Sequence, residues 1–366
     1  MSRKKLLGIS IVTAGGAFIG AHRFALKYRD RAGLPHRSPV ESSPADFGLE
    51  FEAVEIQSEG TCLAGWYVPA AADGHSGPRP AVAVLHGWES NRGRTFAHVR
   101  YLHAAGFHCL VFDARGHGDN PPEVLPISVP EFGADAAAAA RWLLARHDVS
   151  GVGLLGHSMG GAGVIVAGAG EPRVGAVVAL SAPADPVSMT RKTFEMAGWN
   201  VPAPIATPLA MYTAAVLLAP RRHSLEDASA TAGATRYAGP LLLLHGAQDH
   251  GVPLAHLEMI ARAAIAARGG DGLSLQNPNA APVETMVLPD FGHRWLYESA
   301  DARRRVASFL AKSLGGPVSP EDAGDRAAAC VVERPAEPTY GFGALTSQTP
   351  PARTTSSKAA AAADWR

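Results

Sequence analysis

The sequence predicts an α/β fold with a mostly parallel eight-stranded sheet, helices on both faces and a helical lid insertion. Two leading strand-like segments are followed by alternating strand-like and helix-like segments, which is typical of a parallel sheet with an antiparallel start. The short apolar runs end in glycine-rich or polar turns. At 366 residues, the chain can hold one such domain of about 250 residues with extensions.

The elements follow from the spacing of apolar residues and the positions of turn residues. Predicted strands lie near residues 51–57, 63–68, 82–86, 109–113, 152–157, 174–181, 241–245 and 283–288. Predicted helices lie near residues 96–105, 132–147, 254–268 and 296–314, with another directly after residue 157. The insertion at about residues 183–236 is long enough to form a helical lid. In such a sheet, ligands bind at the carboxyl ends of the strands.

The two ends of the chain differ from this pattern. Basic residues flank an apolar run from Leu6 to Ala21, so residues 1–45 are predicted to be a membrane anchor or signal segment with a linker, outside the folded domain. A peripheral or disordered start is the alternative. The expected localisation is membrane-associated through this segment, with export or a cytoplasmic location as alternatives. Residues 46–314 form the predicted domain, and residues 315–366, rich in Pro, Ala, Ser, Thr and Gly, a predicted disordered tail.

The composition argues against some classes of partner. Lys plus Arg and Asp plus Glu each number 33, so a nucleic-acid partner is not indicated. The three cysteines, Cys62, Cys109 and Cys330, lie far apart in the sequence and form no metal or redox motif. We interpret them as small apolar residues, and we expect no metal and no cofactor.

The strongest chemical signal is a nucleophile elbow at residues 156–160, which read Gly-His-Ser-Met-Gly. In a G-x-S-x-G elbow the serine occupies a strained turn between a strand and a helix, and the two glycines are needed because these elements crowd together. The apolar run from Val152 to Leu155 precedes the motif and small residues follow it, as this context requires. Ser158 is therefore the predicted nucleophile, although a glycine-rich turn with an incidental serine has the same pattern.

Two backbone N–H groups are candidates for an oxyanion hole. His86 and Gly87 end the third predicted strand and precede Trp88, whose N–H can face the site because Gly87 allows the backbone to turn. Met159 follows the nucleophile. We expect the N–H groups of Trp88 and Met159 to stabilise a tetrahedral oxyanion.

The candidate acid and base follow the last two strands. Asp249 lies in a turn after the seventh strand, and His293 lies on a loop just before the final helix. The order Ser158, Asp249, His293 is the order of the triad in this kind of architecture. Other aspartates and histidines also follow strand ends, and we interpret them as helix caps, scaffold or pocket walls: Asp113, Asp185, His86, His157, His245 and His250.

Across about residues 49–314, the chain resembles the α/β-hydrolase family, in its serine esterase and lipase-like branch. The resemblance rests on five motifs in order: residues 86–88, residues 113–118, the elbow, residues 246–249 and residues 292–293. It implies that Asp113 and Arg115 belong to the framework. The 44 residues from Asp249 to His293 exceed the usual spacing, because residues 269–282 form a polar loop.

Motifs and resemblance together predict a serine hydrolase that cleaves carboxylic esters, with apolar acyl or lipid-like substrates, through an acyl-enzyme. The apolar residues of the insertion suggest an acyl pocket, although a lid helix must bury one face in any case. An acyltransferase, a thioesterase and a peptidase are alternatives on the same triad. A non-catalytic binding module with this fold is the alternative from another class.

Overall fold

The computed structural model describes residues 3–199, 201–270, 280–332 and 334, and at residues 3–15 and 17 it describes the backbone. Eight strands lie in this part of the chain: β1 Glu52–Ser58, β2 Thr61–Val68, β3 Arg79–Leu85, β4 His108–Phe112, β5 Val149–His157, β6 Val174–Leu180, β7 Leu241–Gly246 and β8 Val283–Leu288. The helices described are α1 Arg3–Ala32, α2 Phe96–Ala104, α3 Val129–Leu144, α4 Met159–Gly170, α5 Pro186–Met196, α6 Ala203–Leu218, α7 Ala230–Arg236, α8 Ala255–Ala267, α9 Ala300–Leu314 and α10 Pro320–Ala329.

The strands form one eight-stranded sheet in the order β1-β2-β4-β3-β5-β6-β7-β8. The strand β2 runs antiparallel to both of its neighbours, β1 and β4, and every other pair in the sheet is parallel. The predicted mostly parallel sheet with an antiparallel start is confirmed. The strands β3 and β5 are parallel neighbours, so their carboxyl ends lie side by side.

Apolar side chains alternate between the two faces of the sheet. In β3, Ala81, Ala83 and Leu85 pack with α3, α4 and α8 on one face, and Val82 and Val84 pack with α2, α9 and α10 on the other. All seven residues of β3 are buried, as expected for a central parallel strand. The predicted helices on both faces are confirmed, and the carboxyl edge of the sheet is left for polar loops.

The insertion between β6 and β7 contains the helices α5, α6 and α7, and α1 packs against it. The ring of Phe24 lies 4.8 Å from that of Trp199 and 5.7 Å from that of Phe194, measured between centroids. His22 Nδ1 lies 2.6 Å from the hydroxyl of Tyr212. The second half of α1 is therefore joined to α5 and α6 through aromatic contacts.

Residues 33–43, which we call the N-terminal linker, then cross the loop that follows β3. Ser38 is buried and donates a hydrogen bond to the carbonyl oxygen of Glu89. The prediction that residues 1–45 lie outside the folded domain is therefore wrong for the second half of α1 and for the linker. Hydrogen bonds to the loop after β3 hold the linker in place, and no buried apolar stripe is needed. Its sequence therefore lacks the hydrophobic periodicity that would have predicted packing.

A helix also occupies part of the predicted disordered tail. Ser319 caps α10, Ala323 and Ala327 are fully buried, and Arg303 of α9 donates hydrogen bonds to the carbonyl oxygens of Ala327 and Ala328. The prediction of disorder from residue 315 is thus wrong as far as Ala329. The small residues that suggested disorder allow α10 to approach α9 closely. The rest of the predicted tail, residues 335–366, lies outside the described residues.

Candidate active site

Ser158 lies at a sharp turn between β5 and α4. Its backbone has φ 57° and ψ −122°, a conformation that is unfavourable for any residue with a Cβ. The turn is possible because Gly156 and Gly160 have no side chain: a Cβ on Gly156 would overlap the carbonyl oxygen of Gly160, and a Cβ on Gly160 would overlap that of His86. The Ser158 N–H donates to the carbonyl oxygen of Leu180 at 2.8 Å. The sequence therefore folds into the predicted elbow, with the serine at the carboxyl edge of the sheet.

The structure brings Ser158, His293 and Asp249 together from three different strand ends. His293 Nε2 lies 2.9 Å from Ser158 Oγ, and His293 Nδ1 lies 2.7 Å from Asp249 Oδ2. Because a carboxylate only accepts hydrogen bonds, Nδ1 carries the proton, and Nε2 of the neutral ring accepts from the serine hydroxyl. This is the tautomer in which the histidine can act as a base towards the serine.

Asp249 is buried, with 5% of its surface exposed, and each of its oxygens has partners. Oδ1 accepts from the N–H groups of Gly251 at 2.9 Å and Val252 at 2.8 Å. Burial raises the pKa of Asp249, but hydrogen bonds from His245 and His293 outweigh it, and the pKa lies below its ordinary value. The carboxylate is thus ionised and fixed in orientation at neutral pH.

His245 is a second imidazole at this carboxylate. Its side chain is buried, its Nε2 lies 2.7 Å from the carbonyl oxygen of Val252 and 3.4 Å from Asp249 Oδ2. Since both neighbours are acceptors, Nε2 carries the proton. Sequence reasoning treated His245 as scaffold, and the spacing of four residues to Asp249 was the only signal of this contact.

The loop after β3 passes directly beside the nucleophile. A Cβ on Gly87 would lie 3.2 Å from both the Cβ of Ser158 and the carbonyl oxygen of His157. Trp88 is the next residue along this loop. Met159 is the first residue of α4, where N–H groups have no acceptor within the helix. Trp88 directly follows Gly87, which lies beside Ser158, and Met159 directly follows Ser158 itself. The oxyanion role of their N–H groups stays a prediction.

Two histidines hold the loops around the serine. His157 Nε2 donates to the carbonyl oxygen of His293 at 2.7 Å, and burial, with the nearby His293, lowers the pKa of His157 to about 3. His86 donates from Nδ1 to the carbonyl oxygen of Gly87 at 2.7 Å and accepts at Nε2 from the N–H of Ala114 at 3.0 Å. Burial lowers the pKa of His86 to about 4. Both rings are therefore neutral at pH 7, and their hydrogen bonds fix the positions of the loops.

The competing aspartates are engaged elsewhere. Asp113 accepts from the N–H and the guanidinium of Arg92, and Asp185 caps α5. Arg115 is paired with the fully buried Asp135 at 2.7 Å. The framework role that the resemblance implies for Asp113 and Arg115 agrees with these contacts. His250 is exposed, and among the described residues no cluster of three or more His, Cys, Asp or Glu could hold a metal ion.

Sequence reasoning missed the residues that hold the loop after β3 from outside. His36 of the N-terminal linker contacts the carboxylate of Glu89 with both its backbone N–H and its ring. No motif marks these residues, because they lie in a segment with neither periodicity nor glycine signals.

A comparison with protein families gives one match that covers the elbow. The family model described as serine aminopeptidase, S33, matches residues 76–210, which include Trp88, Ser158 and Met159 but neither Asp249 nor His293. Pyrococcus furiosus esterase Pf2001 has a similar structure, with a TM-score of 0.58 over 78% of this chain and 99% of that chain at 22% identity. The chain thus has the α/β-hydrolase fold. Other proteins of similar structure include an acetyl xylan esterase from Paenibacillus sp. R4 and a puromycin-hydrolyzing peptidase of Mycobacterium tuberculosis, each 18% identical with a TM-score of 0.54.

The chain matches only part of the length of its curated relatives. An uncharacterized protein of Mycobacterium tuberculosis (strain ATCC 25618 / H37Rv) is 32% identical over 152 residues, which are 41% of this chain and 51% of that protein. Human Protein ABHD12B is 28% identical over 260 residues, 68% of this chain and 64% of that protein. The chain thus spans about half the length of the mycobacterial relative and somewhat less than two thirds of the human one.

Proposed function

We propose that this protein is a serine hydrolase that cleaves carboxylic esters through an acyl-enzyme, with Ser158 as nucleophile, His293 as general base and Asp249 as orienting acid. The observation that carries the proposal is the His293 ring, which bridges Ser158 Oγ at 2.9 Å and Asp249 Oδ2 at 2.7 Å. Both distances lie within hydrogen-bond reach, the geometry that an activated serine requires.

In the proposed reaction, Ser158 Oγ attacks the carbonyl carbon of the ester as its proton passes to His293 Nε2. The negative charge that develops on the carbonyl oxygen is stabilised by the N–H groups of Trp88 and Met159, and the N-terminal end of the α4 dipole adds to this field. The imidazolium returns its proton to the leaving alcohol, and an acyl-serine remains. A water molecule, deprotonated by His293, then releases the acid and restores the serine.

The proposed electrostatics favour this cycle at neutral pH. Asp249 stays ionised because its pKa lies below the ordinary range, so it stabilises the imidazolium that forms in each step. His157 stays neutral, with a pKa of about 3, and therefore places no second positive charge beside His293. These two effects favour proton transfer from Ser158 to His293.

We propose an apolar acyl group because the insertion follows the carboxyl end of β6 and its helix α6 is rich in apolar residues. The insertion, at α5, α6 and α7, follows β6, directly beside the strand that carries Ser158. In this proposal it acts as a lid whose inner face lines the acyl pocket. A lid of this kind predicts a preference for medium or long acyl chains over acetate.

A peptidase on the same triad is the second candidate. It is favoured by the description of the matching family model as a serine aminopeptidase and by the peptidases of similar structure. The leaving group would be an amine, which must be protonated by His293 as it leaves. Acyl transfer and thioester cleavage use the same residues, and a non-catalytic module would have no need for the aligned hydrogen bonds.

We also propose that the protein associates with a membrane through its N-terminal helix. Phe18 and Ile19 of α1 are 61% and 60% exposed and Ile205 of α6 is 62% exposed, while the basic residues Arg23 and Lys27 on α1 are exposed nearby. Apolar tips beside basic residues suit an anionic lipid surface. The helix at Ala203–Arg221 is long and apolar enough to cross a membrane by length and composition, although a core helix passes the same criterion. Full-length protein that remains in the membrane pellet after a high-salt wash would support the association, and wholly soluble, unprocessed protein would contradict it.

The test of substrate class compares p-nitrophenyl esters of graded chain length with aminoacyl p-nitroanilides, on the full chain and on its Ser158→Ala variant. Ester turnover that is lost in the variant, with an optimum beyond acetate, supports the proposed esterase. Turnover of the anilides at a higher kcat/KM would replace it with the peptidase. Turnover that persists in the variant would contradict both.

A further inference from the structure

The N-terminal linker forms hydrogen bonds with Glu89 in the loop after β3, one residue beyond the proposed oxyanion donor Trp88. Ser38 Oγ donates to the carbonyl oxygen of Glu89 at 3.1 Å. The backbone N–H of His36 lies 3.2 Å, and its Nδ1 2.8 Å, from Oε1 of the same residue. The linker therefore holds both the main chain and the side chain of Glu89, which directly follows Trp88.

A second set of contacts continues along the same loop. Asn91 Nδ2 donates to the carbonyl oxygens of Ser38 at 3.2 Å and Pro39 at 2.8 Å. Asn91 and Ser38 are only 1% and 3% exposed, so these hydrogen bonds are shielded from water and are costly to break. The linker thus holds the loop at two positions, Glu89 and Asn91.

The loop needs such support because Glu89 has φ 52°. This left-handed conformation is unfavourable for a residue with a side chain. The far end of the loop is fixed separately, since the N–H of Arg92 donates to Asp113 Oδ1 at 2.7 Å. Without the linker, the stretch between Gly87 and Arg92 would be free to relieve the conformation at Glu89, and the neighbouring peptide of Trp88 would turn with it.

We propose that His36 and Ser38 are positioning residues for the oxyanion hole, acting through Glu89 on the N–H of Trp88. This inference rests on the proposed function. It makes a segment outside the predicted catalytic domain part of the apparatus that stabilises the transition state. It also links the helix α1, which packs against the insertion, to the reacting centre.

The expected effect is smaller than the loss of a donor. Removing one oxyanion donor entirely costs on the order of a hundredfold to a thousandfold in kcat. The linker contacts only align the donor. The double variant His36→Ala/Ser38→Ala removes the ring contact to Glu89 Oε1 and the hydroxyl contact to the Glu89 carbonyl oxygen, and it keeps the backbone contacts of the linker. It is therefore expected to lose about threefold to tenfold in kcat, with KM changed by less than about twofold.

The experiment measures ester turnover and the rate of fluorophosphonate labelling on full-length variants. It also measures the inhibition constant of a trifluoromethyl ketone, whose adduct carries an oxyanion. Because that adduct resembles the transition state, its inhibition constant should rise by the same factor as kcat/KM falls. The matched control is Arg37→Ala: Arg37 lies between the two residues but donates to the carbonyl oxygen of Gly118, so its kcat should stay within about twofold of wild type.

A conservative pair separates alignment from general packing. Glu89→Gln keeps a side-chain oxygen that accepts from the N–H of His36, whereas Glu89→Ala has none. The inference predicts near-wild-type kcat for the former and a loss of about tenfold for the latter, at similar melting temperatures.

Three results would overturn the inference. The double variant could match wild-type kcat, Arg37→Ala could lose as much as the double variant, or the ketone could bind unchanged while kcat falls. Failure of the proposed function looks different, because the wild-type chain itself would then show neither turnover nor labelling, and the inference would fall with it.

Discussion

Replacing Asp249 with Asn reverses the direction of one hydrogen bond and should nearly abolish activity. In the native chain, Oδ1 accepts two backbone N–H groups, from Gly251 and Val252. An Asn side chain must keep its single oxygen on that side, because an NH₂ group cannot accept from those donors. The NH₂ group therefore faces His293 Nδ1, which must give up its proton to accept.

The proton then moves to His293 Nε2, which points at Ser158 Oγ. In this tautomer the ring cannot take the serine proton, and no carboxylate is left to stabilise an imidazolium. In the serine-protease triad, the same exchange lowers kcat by about 10⁴-fold, which corresponds to about 5.5 kcal/mol of transition-state stabilisation. We expect a loss of about 10³-fold to 10⁴-fold here. The folded state should lose less, about 1–3 kcal/mol, because the NH₂ group also meets the donor nitrogen of His245.

The assay is kcat with the best p-nitrophenyl ester and the rate of fluorophosphonate labelling, together with thermal unfolding of each variant. The matched control is Asp185→Asn, because Asp185 caps α5 with its side-chain oxygen and Asn is an equally good cap. The control should keep wild-type kcat and stability. A loss of less than about tenfold in Asp249→Asn, or an equal loss in both variants, would refute the reasoning about the tautomer.

Three further outcomes follow from packing and burial. Gly160→Ala places a Cβ on the carbonyl oxygen of His86, so fluorophosphonate labelling should fail and the free energy of unfolding should fall by about 1–3 kcal/mol. The control Gly170→Ala, which has open space around its Cβ, should leave both labelling and stability unchanged. Arg303→Met removes the hydrogen bonds that hold the end of α10, so limited proteolysis should release the chain after residue 315, and uncut protein would contradict this. The free energy of unfolding in urea should fall below pH 6.5, by up to about 1.4 kcal/mol per pH unit for each buried neutral histidine. The reason is that these histidines bind protons below pH 6.5 in the unfolded chain, but only below about pH 4 in the folded chain. A free energy of unfolding that stays constant down to pH 5 would contradict this prediction. These histidines have pKa values lowered to about 3 or 4 by burial: His86, His98, His117 and His157.

Much of the fold could be predicted from local pattern. The strands β3, β5 and β7 are largely buried apolar runs of strand length, and each ends at a glycine or polar turn, so they could be recognised without any long-range information. The ends of the chain could not be predicted in this way. The helix α10 is composed of the small residues that also characterise disordered tails, and only its contact with Arg303 and α9 distinguishes the two.

The site also contains residues that local sequence predicts and residues that it does not. Ser158 could be predicted because the tight turn around it sterically requires glycine at two nearby positions. Asp249 and His293 could be predicted because each directly follows the end of a strand. The contacts of His245, His36 and Ser38 carry no such mark. They depend on which loops meet at the carboxyl edge, and that is set by the sheet order rather than by any short stretch of sequence.

The most direct test of the account is to label the purified full-length protein with a fluorophosphonate and to locate the adduct by peptide mass mapping. We predict one equivalent of adduct on Ser158, no labelling in Ser158→Ala, and labelling slowed by at least about a hundredfold in His293→Ala with the fold intact. Folded wild-type protein that does not react, or an adduct that persists in Ser158→Ala, would contradict the claim that this chain is a serine hydrolase.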